Sequence, residues 1–296
     1  MTLLIMAAGN GSRYGALKQF DALGPNDEFL FEYSIYDAIS NGFNHIVIIT
    51  KEQFVDEIKN YLSQRISDKI KLDVIAQKVS NLPPSFNSQD FNREKPWGTA
   101  HAVWVAKNYI KNSFIIINAD DHYGKKAFEL AADFIENKTK ENEYALVPYL
   151  LNDTLSKYGT VSRGICKTEK DNLIEVKEVL KIEKKGDEIL DIDSNTILNE
   201  NELISMNLWI CEPSIFNEIE TQFINFLNDK EDINKKEILI PLIIQNLIES
   251  EFVKVKVTQA GDSWFGVTYA NDKENAVELL KEMSINNEYP SPLWKN

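Results

Sequence analysis

The segment that most constrains this chain is its amino-terminal end, where a continuous apolar run passes directly into a glycine-rich, cationic loop. The run extends from Leu3 to Ala8, and the loop reads G-N-G-S-R-Y-G at residues 9–15, with Lys18 shortly after it. A strand that is apolar throughout is buried on both faces. Glycines let the main chain approach a ligand and aim several N–H groups at one anion. The segment therefore predicts a buried strand that ends at a phosphate-binding loop.

Spacing separates this loop from two common glycine-rich motifs. Tyr14 stands where a dinucleotide-binding G-x-G-x-x-G fingerprint needs its third glycine, and also where a P-loop counted from Gly9 needs its second. Counted from Gly11, that P-loop position is Ala16. An ordinary tight turn, in which Arg13 and Lys18 are only solvated, is the alternative to a phosphate site.

Short β-rich runs alternate with segments of helical periodicity over the first half of the chain. Strands are predicted at 2–7, 46–50, 72–77, 114–118 and 144–148, and helices at 31–41, 53–64, 99–111 and 125–137. This alternation predicts an α/β, Rossmann-like, mixed and mostly parallel sheet with helices on both faces. Ligands of such sheets bind beyond the carboxyl ends of the strands.

Three features fall at those strand ends: the glycine loop, Gln77 and Asp120. The carboxylate of Asp120 suits a hard cation such as Mg²⁺, which keeps waters and takes phosphate oxygens as further ligands. A simple turn over residues 120–124 is the alternative. We expect Asp121 to point away from the site if strand alternation continues through it.

The pattern changes after residue 150. An antiparallel pair is predicted at 161–166 and 173–181, followed by a polar, mobile excursion at 186–202. A strand at 203–211, helices at 214–227 and 235–249, a strand at 252–258 and a helix at 271–283 complete the chain. We predict one domain over residues 1–296, with a nucleotide-binding half at 1–150 and a smaller, β-rich, sugar-facing half with the C-terminal helices at 151–296.

The chain resembles the sugar-1-phosphate nucleotidyltransferases, also called nucleotide-sugar pyrophosphorylases. The resemblance rests on motifs that occur in the family's order: A-A-G-N-G-S-R at 7–13 with Lys18, Gln77, W-G-T-A-H-A at 97–102, N-A-D at 118–120, Y-G at 158–159, E-K at 183–184 and M-N at 206–207. These motifs span roughly residues 2–210, and the C-terminal third matches only in general pattern. The resemblance implies the nucleotide-diphospho-sugar transferase fold.

The resemblance also implies roles for individual residues. Catalytic charge stabilisation falls to Arg13 and Lys18. The residues implied to bind the nucleotide are Ala8, Gly9, Gly11, Ser12, Gln77, Gly98 and Thr99. Those implied to bind the substrate are Gly159, Glu183, Lys184 and Asn207. Asp120 is implied to bind Mg²⁺. From its side chain alone, Gln77 can offer a base both an acceptor and donors, Thr99 can cap the next helix, and His101 is expected to pack within that helix.

The family's second metal ligand is an Asp or Asn on a late loop, and this chain departs from that pattern. The matching position falls on Gly266 or Thr268. Asp262 is our assignment for the second ligand, and Thr268 acting through a water is the alternative.

The amino-acid composition limits the classes of partner that this chain is expected to bind. With 46 acidic against 32 basic side chains, the net charge is −14, which argues against broad attraction to nucleic acid or anionic lipid. Cys166 and Cys211 lie inside predicted strands and suggest neither a disulfide framework nor a metal site. The longest apolar stretch is far shorter than the roughly 20 residues of a membrane span, and no basic leader precedes the first strand. We predict a cytoplasmic protein with no membrane or nucleic-acid partner; the sequence leaves a homo-oligomer open.

The expected activity is transfer of NMP from an NTP (UTP, dTTP or CTP) to a sugar 1-phosphate, with release of pyrophosphate and Mg²⁺ as cofactor. Two other functions stay open at this point. A cytidylyl- or uridylyltransferase for a non-sugar phosphomonoester such as phosphocholine would keep the nucleotide half of the site. A non-catalytic nucleotide-sugar sensor would keep the pocket and lose the second metal ligand.

Overall fold

The computed structural model describes residues 1–9, 21–138, 140, 142–229, 231–258, 261 and 263–294. Its strands are β1 Thr2–Met6, β2 His45–Thr50, β3 Lys71–Ala76, β4 Phe114–Asn118, β5 Asp121–His122, β6 Glu143–Leu146, β7 Tyr149–Leu150, β8 Val161–Glu169, β9 Asn172–Lys185, β10 Glu188–Asp191, β11 Thr196–Leu198, β12 Leu203–Ser205, β13 Trp209–Cys211, β14 Lys254–Val257 and β15 Phe265–Gly266. Its α-helices are α1 Leu30–Ser40, α2 Val55–Ser63, α3 Thr99–Val105, α4 Lys125–Asn137, α5 Ile215–Asn228, α6 Ile240–Glu249 and α7 Asp272–Ile285.

Thirteen of these strands form one continuous sheet. Its main path runs β3-β2-β1-β4-β13-β6-β14-β9-β8-β12-β7, with β10 and β11 added beside β9. Strands β3, β2, β1 and β4 are parallel, and so are β14 and β6, whereas β13 runs antiparallel to both β4 and β6. The predicted α/β mixed sheet is therefore confirmed, with its parallel region in the amino-terminal half.

Helices cover both faces of the sheet because successive side chains of the central strands point to opposite sides. Leu4 and Met6 pack into one buried cluster with residues of α3, α5 and α6. Leu3 and Ile5 pack into a second cluster with residues of α1, α2 and α4. All four side chains are buried, as the unbroken apolar run predicted.

The second half of the chain adds a β-rich part whose core is the long β8–β9 hairpin. The predicted mobile excursion at 186–202 is wrong in one respect: it holds β10 and β11, which extend the sheet from β9. The predicted strand at 203–211 is divided into β12 and β13, because Asn207 between them adopts a left-handed backbone conformation with φ of 63°. Helix α6 begins at Ile240, later than predicted, since Pro241 is compatible only with a first helical turn.

The carboxyl-terminal segment packs against α1 through buried hydrogen bonds. The Tyr289 hydroxyl donates to Asp37 Oδ2 at 2.6 Å and accepts from His122 Nε2 at 3.0 Å. All three residues are buried, and burial lowers the pKa of His122 to about 3, so its ring is neutral. This chain of bonds connects the segment after α7 to β5, next to Asp121. No helix in the described part of the chain has the length and apolar character needed to cross a bilayer.

We expect Tyr289→Phe to lower the free energy of unfolding by about 1–3 kcal/mol, because a buried carboxylate and a buried imidazole lose the same hydroxyl. Tyr36→Phe is the matched control: its ring packs against Tyr289 at 5.8 Å, and its hydroxyl has no hydrogen bond to any described residue. Urea denaturation of both variants measures the difference. Equal losses would show that the buried chain of hydrogen bonds does not stabilise the fold.

Candidate active site

Parallel pairing places three predicted site residues in one row across the sheet. The register pairs Thr50 with Ala76 and Met6 with both Ile49 and Asn118. Continued by two residues past Met6, it aligns Gln77, Ala8 and Asp120 at the carboxyl edge. Three strand spacings separate the outer two, a span of roughly 14 Å at about 4.8 Å for each spacing. The row is therefore long enough for a base at one end and phosphates at the other.

Main-chain hydrogen bonds continue this register just past the strand ends. Ala7 N donates to Ile49 O at 2.7 Å, and Ala119 N donates to Met6 O at 3.1 Å. Gln77 N donates to Thr50 O at 2.8 Å in the same way. The chain thus leaves the sheet at one level on all four parallel strands, and Ala8 is buried where the glycine loop starts.

A polar cavity of about 190 Å³ opens beside Asp120. Residues from both halves of the chain line it: Asn118, Asp120, Asp121, Ser162, Arg163, Gly164, Glu178, Ser205, Met206, Asn207, Pro241 and Thr268. Two predicted site residues, Asp120 and Asn207, are therefore brought together at one cavity. Carboxylate, amide, hydroxyl and guanidinium groups dominate its wall, so it suits a small ligand rich in hydroxyl groups.

A hydrogen-bond network supports the Asp120 side of this cavity. Asn118 Nδ2 donates to Asp121 Oδ2 at 2.8 Å, and Asn118 Oδ1 accepts from Asn207 Nδ2 at 3.3 Å. The Tyr123 hydroxyl donates to Met206 O at 2.7 Å. These bonds join the end of β4 to the turn between β12 and β13, so the left-handed Asn207 is held against the strand that leads to Asp120.

The expectation that Asp121 points away from the site holds only if strand alternation continues through it; that condition is not met, and Asp121 lines the same cavity as Asp120. Strand β4 ends at Asn118, and Asp121 begins the separate short strand β5, so alternation along one strand does not extend to it. The side chain is buried and accepts the amide hydrogen bond of Asn118. Two adjacent carboxylates therefore meet at this edge.

The late loop reaches this edge through the pairing of β15 with β5. Val267 N donates to Asp120 O at 3.0 Å, and Thr268 lines the cavity. A Cβ atom at Gly266 would lie 2.4 Å from Asp121 Oδ1, which leaves no room for a side chain there. The Asp121 carboxylate and the Trp264 ring therefore occupy the space beside Gly266. Asp262 lies outside the described residues and stays a prediction.

Gln77 has a fixed orientation at the end of β3. Its Nε2 donates to Gly98 O at 3.1 Å and to His101 Nδ1 at 2.9 Å, while His101 Nε2 donates to Asn81 O at 2.7 Å. Both acceptors require an N–H donor, so the amide nitrogen of Gln77, and not its oxygen, must face them. The side chain is half-buried, and both amide hydrogens are bonded within the protein, while its contact with a base stays a prediction. Its oxygen is left to accept a hydrogen bond.

Gly98 and Thr99 connect α3 to the segment before α6. Gly98 has a φ of 118°, and a Cβ there would lie 2.3 Å from Ile238 O. The position therefore requires glycine for its conformation and for the close approach. Thr99 is the first residue of α3 rather than its cap, and its Oγ1 accepts from Ile240 N at 3.0 Å.

The remaining substrate-binding predictions lie outside the cavity wall. A Cβ atom at Gly159 would lie 2.6 Å from the Tyr269 hydroxyl oxygen. Lys184 Nζ donates to Asn152 Oδ1 at 3.0 Å, and Glu183 lies 3.6 Å from Lys185. Four further site residues lie outside the described residues: Gly11, Ser12, Arg13 and Lys18. Gly9, which directly precedes the glycine loop's undescribed part, is exposed. The roles of all these residues stay predictions.

Two cavity residues carried no signal in the sequence. Arg163 is buried, donates from its guanidinium to Thr154 O and Ser162 O, and lies 5.2 Å from the ring centre of Trp264. Glu178 stands directly across from Gly164 in the β8–β9 hairpin. Alternating charged residues on a hairpin usually indicate a solvated surface, so only the pairing register could have located these two at the cavity.

We expect His101 to make the free energy of unfolding depend on pH. Burial lowers its pKa from the ordinary value of 6.5 to about 4, so between these values the unfolded chain binds a proton that the folded protein does not. Stability is therefore lost as the pH falls from 6.5 to 4, by on the order of 3 kcal/mol from this residue. Urea denaturation across that range should show a shallower acid loss for His101→Gln than for wild type. Parallel curves would contradict the assignment.

Comparison with known proteins places these features in a family. The chain matches the nucleotidyl transferase family over residues 2–267. It is 29% identical over 129 residues to UTP–glucose-1-phosphate uridylyltransferase of Bacillus subtilis (strain 168), a match that covers 40% of this chain and 43% of that relative, less than half of its length.

Solved structures show the same fold at low identity. The inositol-1-phosphate CTP transferase from T. maritima has a TM-score of 0.63 at 12% identity and covers 96% of each chain. A putative glucose-1-phosphate thymidylyltransferase from Bacillus anthracis has a TM-score of 0.63 at 13% identity, covering 95% of this chain and 96% of that one. These likenesses confirm the predicted fold class. Because the family match extends over most of the chain, the chain belongs to the nucleotidyl transferase family, as the resemblance in its ordered motifs predicted.

Proposed function

We propose that this protein transfers NMP from an NTP to a sugar 1-phosphate, forming a nucleotide sugar and releasing pyrophosphate. The observation that carries the proposal is the row of Gln77, Ala8 and Asp120 at the carboxyl edge of the sheet, with a polar cavity beyond Asp120. The row provides a place for the nucleotide, and the cavity provides a place for the acceptor. Asp120 belongs to both, so in this proposal it lies at the junction where the nucleotidyl group is transferred.

The reaction needs no covalent enzyme intermediate. A phosphate oxygen of the acceptor attacks the α-phosphorus of the NTP in line, the bond from that phosphorus to the bridging oxygen of pyrophosphate breaks, and pyrophosphate keeps the electron pair. Both substrates are anions, so the protein's task is to hold them together and to stabilise charge as it builds up. Arg13 and Lys18 of the glycine loop supply cations for the departing pyrophosphate in this proposal.

The donor set at the cavity edge fits Mg²⁺. Asp120 and Asp121 offer hard carboxylate oxygens, and the part of the chain that the structure describes holds no group of three or more His, Cys, Asp or Glu side chains suited to a metal. Mg²⁺ typically takes one or two carboxylates and fills its shell with waters and phosphate oxygens. When bound, the ion would neutralise phosphate charge, and Asp120, with Asp121 behind it, would hold it.

We expect Asp120→Ala and Arg13→Ala each to lower turnover by about 10²-fold or more, because the first removes the carboxylate that would hold Mg²⁺ and the second removes a cation that would stabilise the departing pyrophosphate. Asp153→Ala is the matched control, since that carboxylate is exposed and lies outside the cavity wall. Pyrophosphate release from NTP and sugar 1-phosphate measures all three variants. Wild-type rates in Asp120→Ala would remove this residue from the site.

A matrix of nucleoside triphosphates against phosphorylated acceptors, with and without Mg²⁺, tests the function itself. We expect pyrophosphate release with a sugar 1-phosphate and loss of release when the metal is chelated. Release with phosphocholine alone would indicate a non-sugar acceptor. Thermal stabilisation by nucleotide sugars without turnover at any metal concentration would indicate a sensor.

A further inference from the structure

We propose that the segment after α7, residues 286–294, positions the two loops that flank the phosphate end of the proposed active site. We call this segment the strap. One of the two loops is the stretch at 21–29, which follows the glycine loop in the sequence, and the other is the late loop at 263–268. This inference rests on the proposed function and deepens it, because it assigns residues that affect the transfer without touching either substrate.

A small buried cluster joins the strap to both loops. Among the described residues, it takes no side chain from the 13-stranded sheet. Its buried members come from the stretch at 21–29, α1, the late loop, α7 and the strap: Leu23, Leu30, Tyr33, Phe265, Val267, Ala276, Leu280, Tyr289 and Leu293. Both loops therefore meet the strap and α7 in a core of their own, apart from the two clusters that cover the faces of the sheet.

Glu28 connects the strap to the stretch at 21–29. Its carboxylate is buried, and its two oxygens accept hydrogen bonds from different segments: Oε2 from Asn26 N at 2.8 Å and Oε1 from Leu293 N at 3.1 Å. Beside it, Asn26 Nδ2 donates to Ser291 Oγ at 2.9 Å. A buried carboxylate is stable only when its oxygens have donors. The strap supplies one of these donors, so its release would also loosen the chain that follows the glycine loop.

Tyr289 connects the strap to the late loop. Its hydroxyl accepts from His122 Nε2 at 3.0 Å, and the His122 ring stacks on Phe265 with 4.6 Å between ring centres and 11° between ring planes. His122 and Phe265 are also partners in the ladder of β5 and β15, and the neighbouring pair in that ladder is Asp121 with Gly266. The strap therefore reaches the carboxylate edge of the cavity through two successive ring contacts.

The alignment of these loops should control the rate of transfer. Two anions react in line, so a small displacement of the groups that hold them lowers the rate steeply. The proposed function assigns the cations for pyrophosphate to the glycine loop and the carboxylates for Mg²⁺ to the edge where the late loop packs. None of the described residues in the cavity wall belongs to the strap. Loosening the strap should therefore slow transfer and leave binding of the acceptor unchanged.

The first test measures kcat and KM for Tyr289→Phe, with Tyr144→Phe as the matched control. Tyr144 is also buried, and its hydroxyl bonds Ser214 Oγ at 3.0 Å in a different cluster, away from the cavity wall. With the best substrate pair from the matrix, we expect Tyr289→Phe to lower kcat about 10-fold and to leave the acceptor KM within about twofold of wild type. Tyr144→Phe should keep the wild-type kcat. Circular dichroism at the assay temperature confirms that each variant is folded.

The second test breaks the other connection with Glu28→Gln. Glutamine has nearly the same size, but its amide nitrogen cannot accept, so one of the two N–H donors loses its partner. Glu220→Gln is the matched control, because that carboxylate accepts from Trp104 and Lys107 outside the cavity wall. We expect Glu28→Gln to lower kcat in the same way as Tyr289→Phe, with the acceptor KM again unchanged, and Glu220→Gln to match wild type.

Hydrogen exchange gives a measurement that does not depend on turnover. Glu28→Gln should speed amide exchange in peptides that cover 21–29, and Tyr289→Phe should speed it in peptides that cover 263–268, while β2 and β3 exchange at the wild-type rate in both variants. Faster exchange confined to the strap would overturn the proposal. Losses of kcat no larger than those of the matched controls, or an acceptor KM that changes more than kcat, would also overturn it.

Failure of the proposed function has a different signature. If wild type releases no pyrophosphate with any acceptor, the transfer reaction is wrong, and hydrogen exchange still tests the strap. Faster exchange at 21–29 in Glu28→Gln and at 263–268 in Tyr289→Phe would support the strap as the element that holds both loops. Wild-type exchange at these loops would contradict it.

Discussion

The structure depends on the parallel register of β3, β2, β1 and β4, with β1 hydrogen-bonded on both sides. Because side chains alternate along a strand, a shift of β1 by one residue would exchange its two buried faces and move the glycine loop relative to Asp120. The apolar residues of both core clusters resist that shift, since each cluster takes alternate side chains from β1. Packing energy in the core therefore fixes the geometry of the edge where the site lies.

A second constraint brings the acceptor side to this edge. Strand β13 enters the sheet antiparallel to β4, and the turn before it carries Asn207 to Asn118. The β8–β9 hairpin then reaches the same cavity from the other side. The late loop packs against Asp121, and a Cβ atom at Gly266 would lie 2.4 Å from Oδ1 of that carboxylate.

The sequence was most informative where local pattern and burial coincide. The strand at 114–118 and the helix at 125–137 have the predicted bounds, because apolar runs and helical periodicity directly reflect burial. Asp120 followed from its place after such a strand. Glu178 and Arg163 could not be found in this way, since their place at the cavity depends on hairpin register and on a glycine across the strand. The position of Asp121 depends on where β4 ends. The orientation of the Gln77 amide depends on its contact with His101, and the sequence pattern does not predict that contact.

The most direct test is a crystal structure with Mg²⁺ and an NTP analogue in which the α–β bridging oxygen is replaced, so that the bond from the α-phosphorus to the bridging group cannot break. The account predicts the base beside Gln77, the phosphates at the chain after Ala8, and the ion on Asp120. A nucleotide bound elsewhere, or an ion that contacts neither Asp120 nor Asp121, would contradict it.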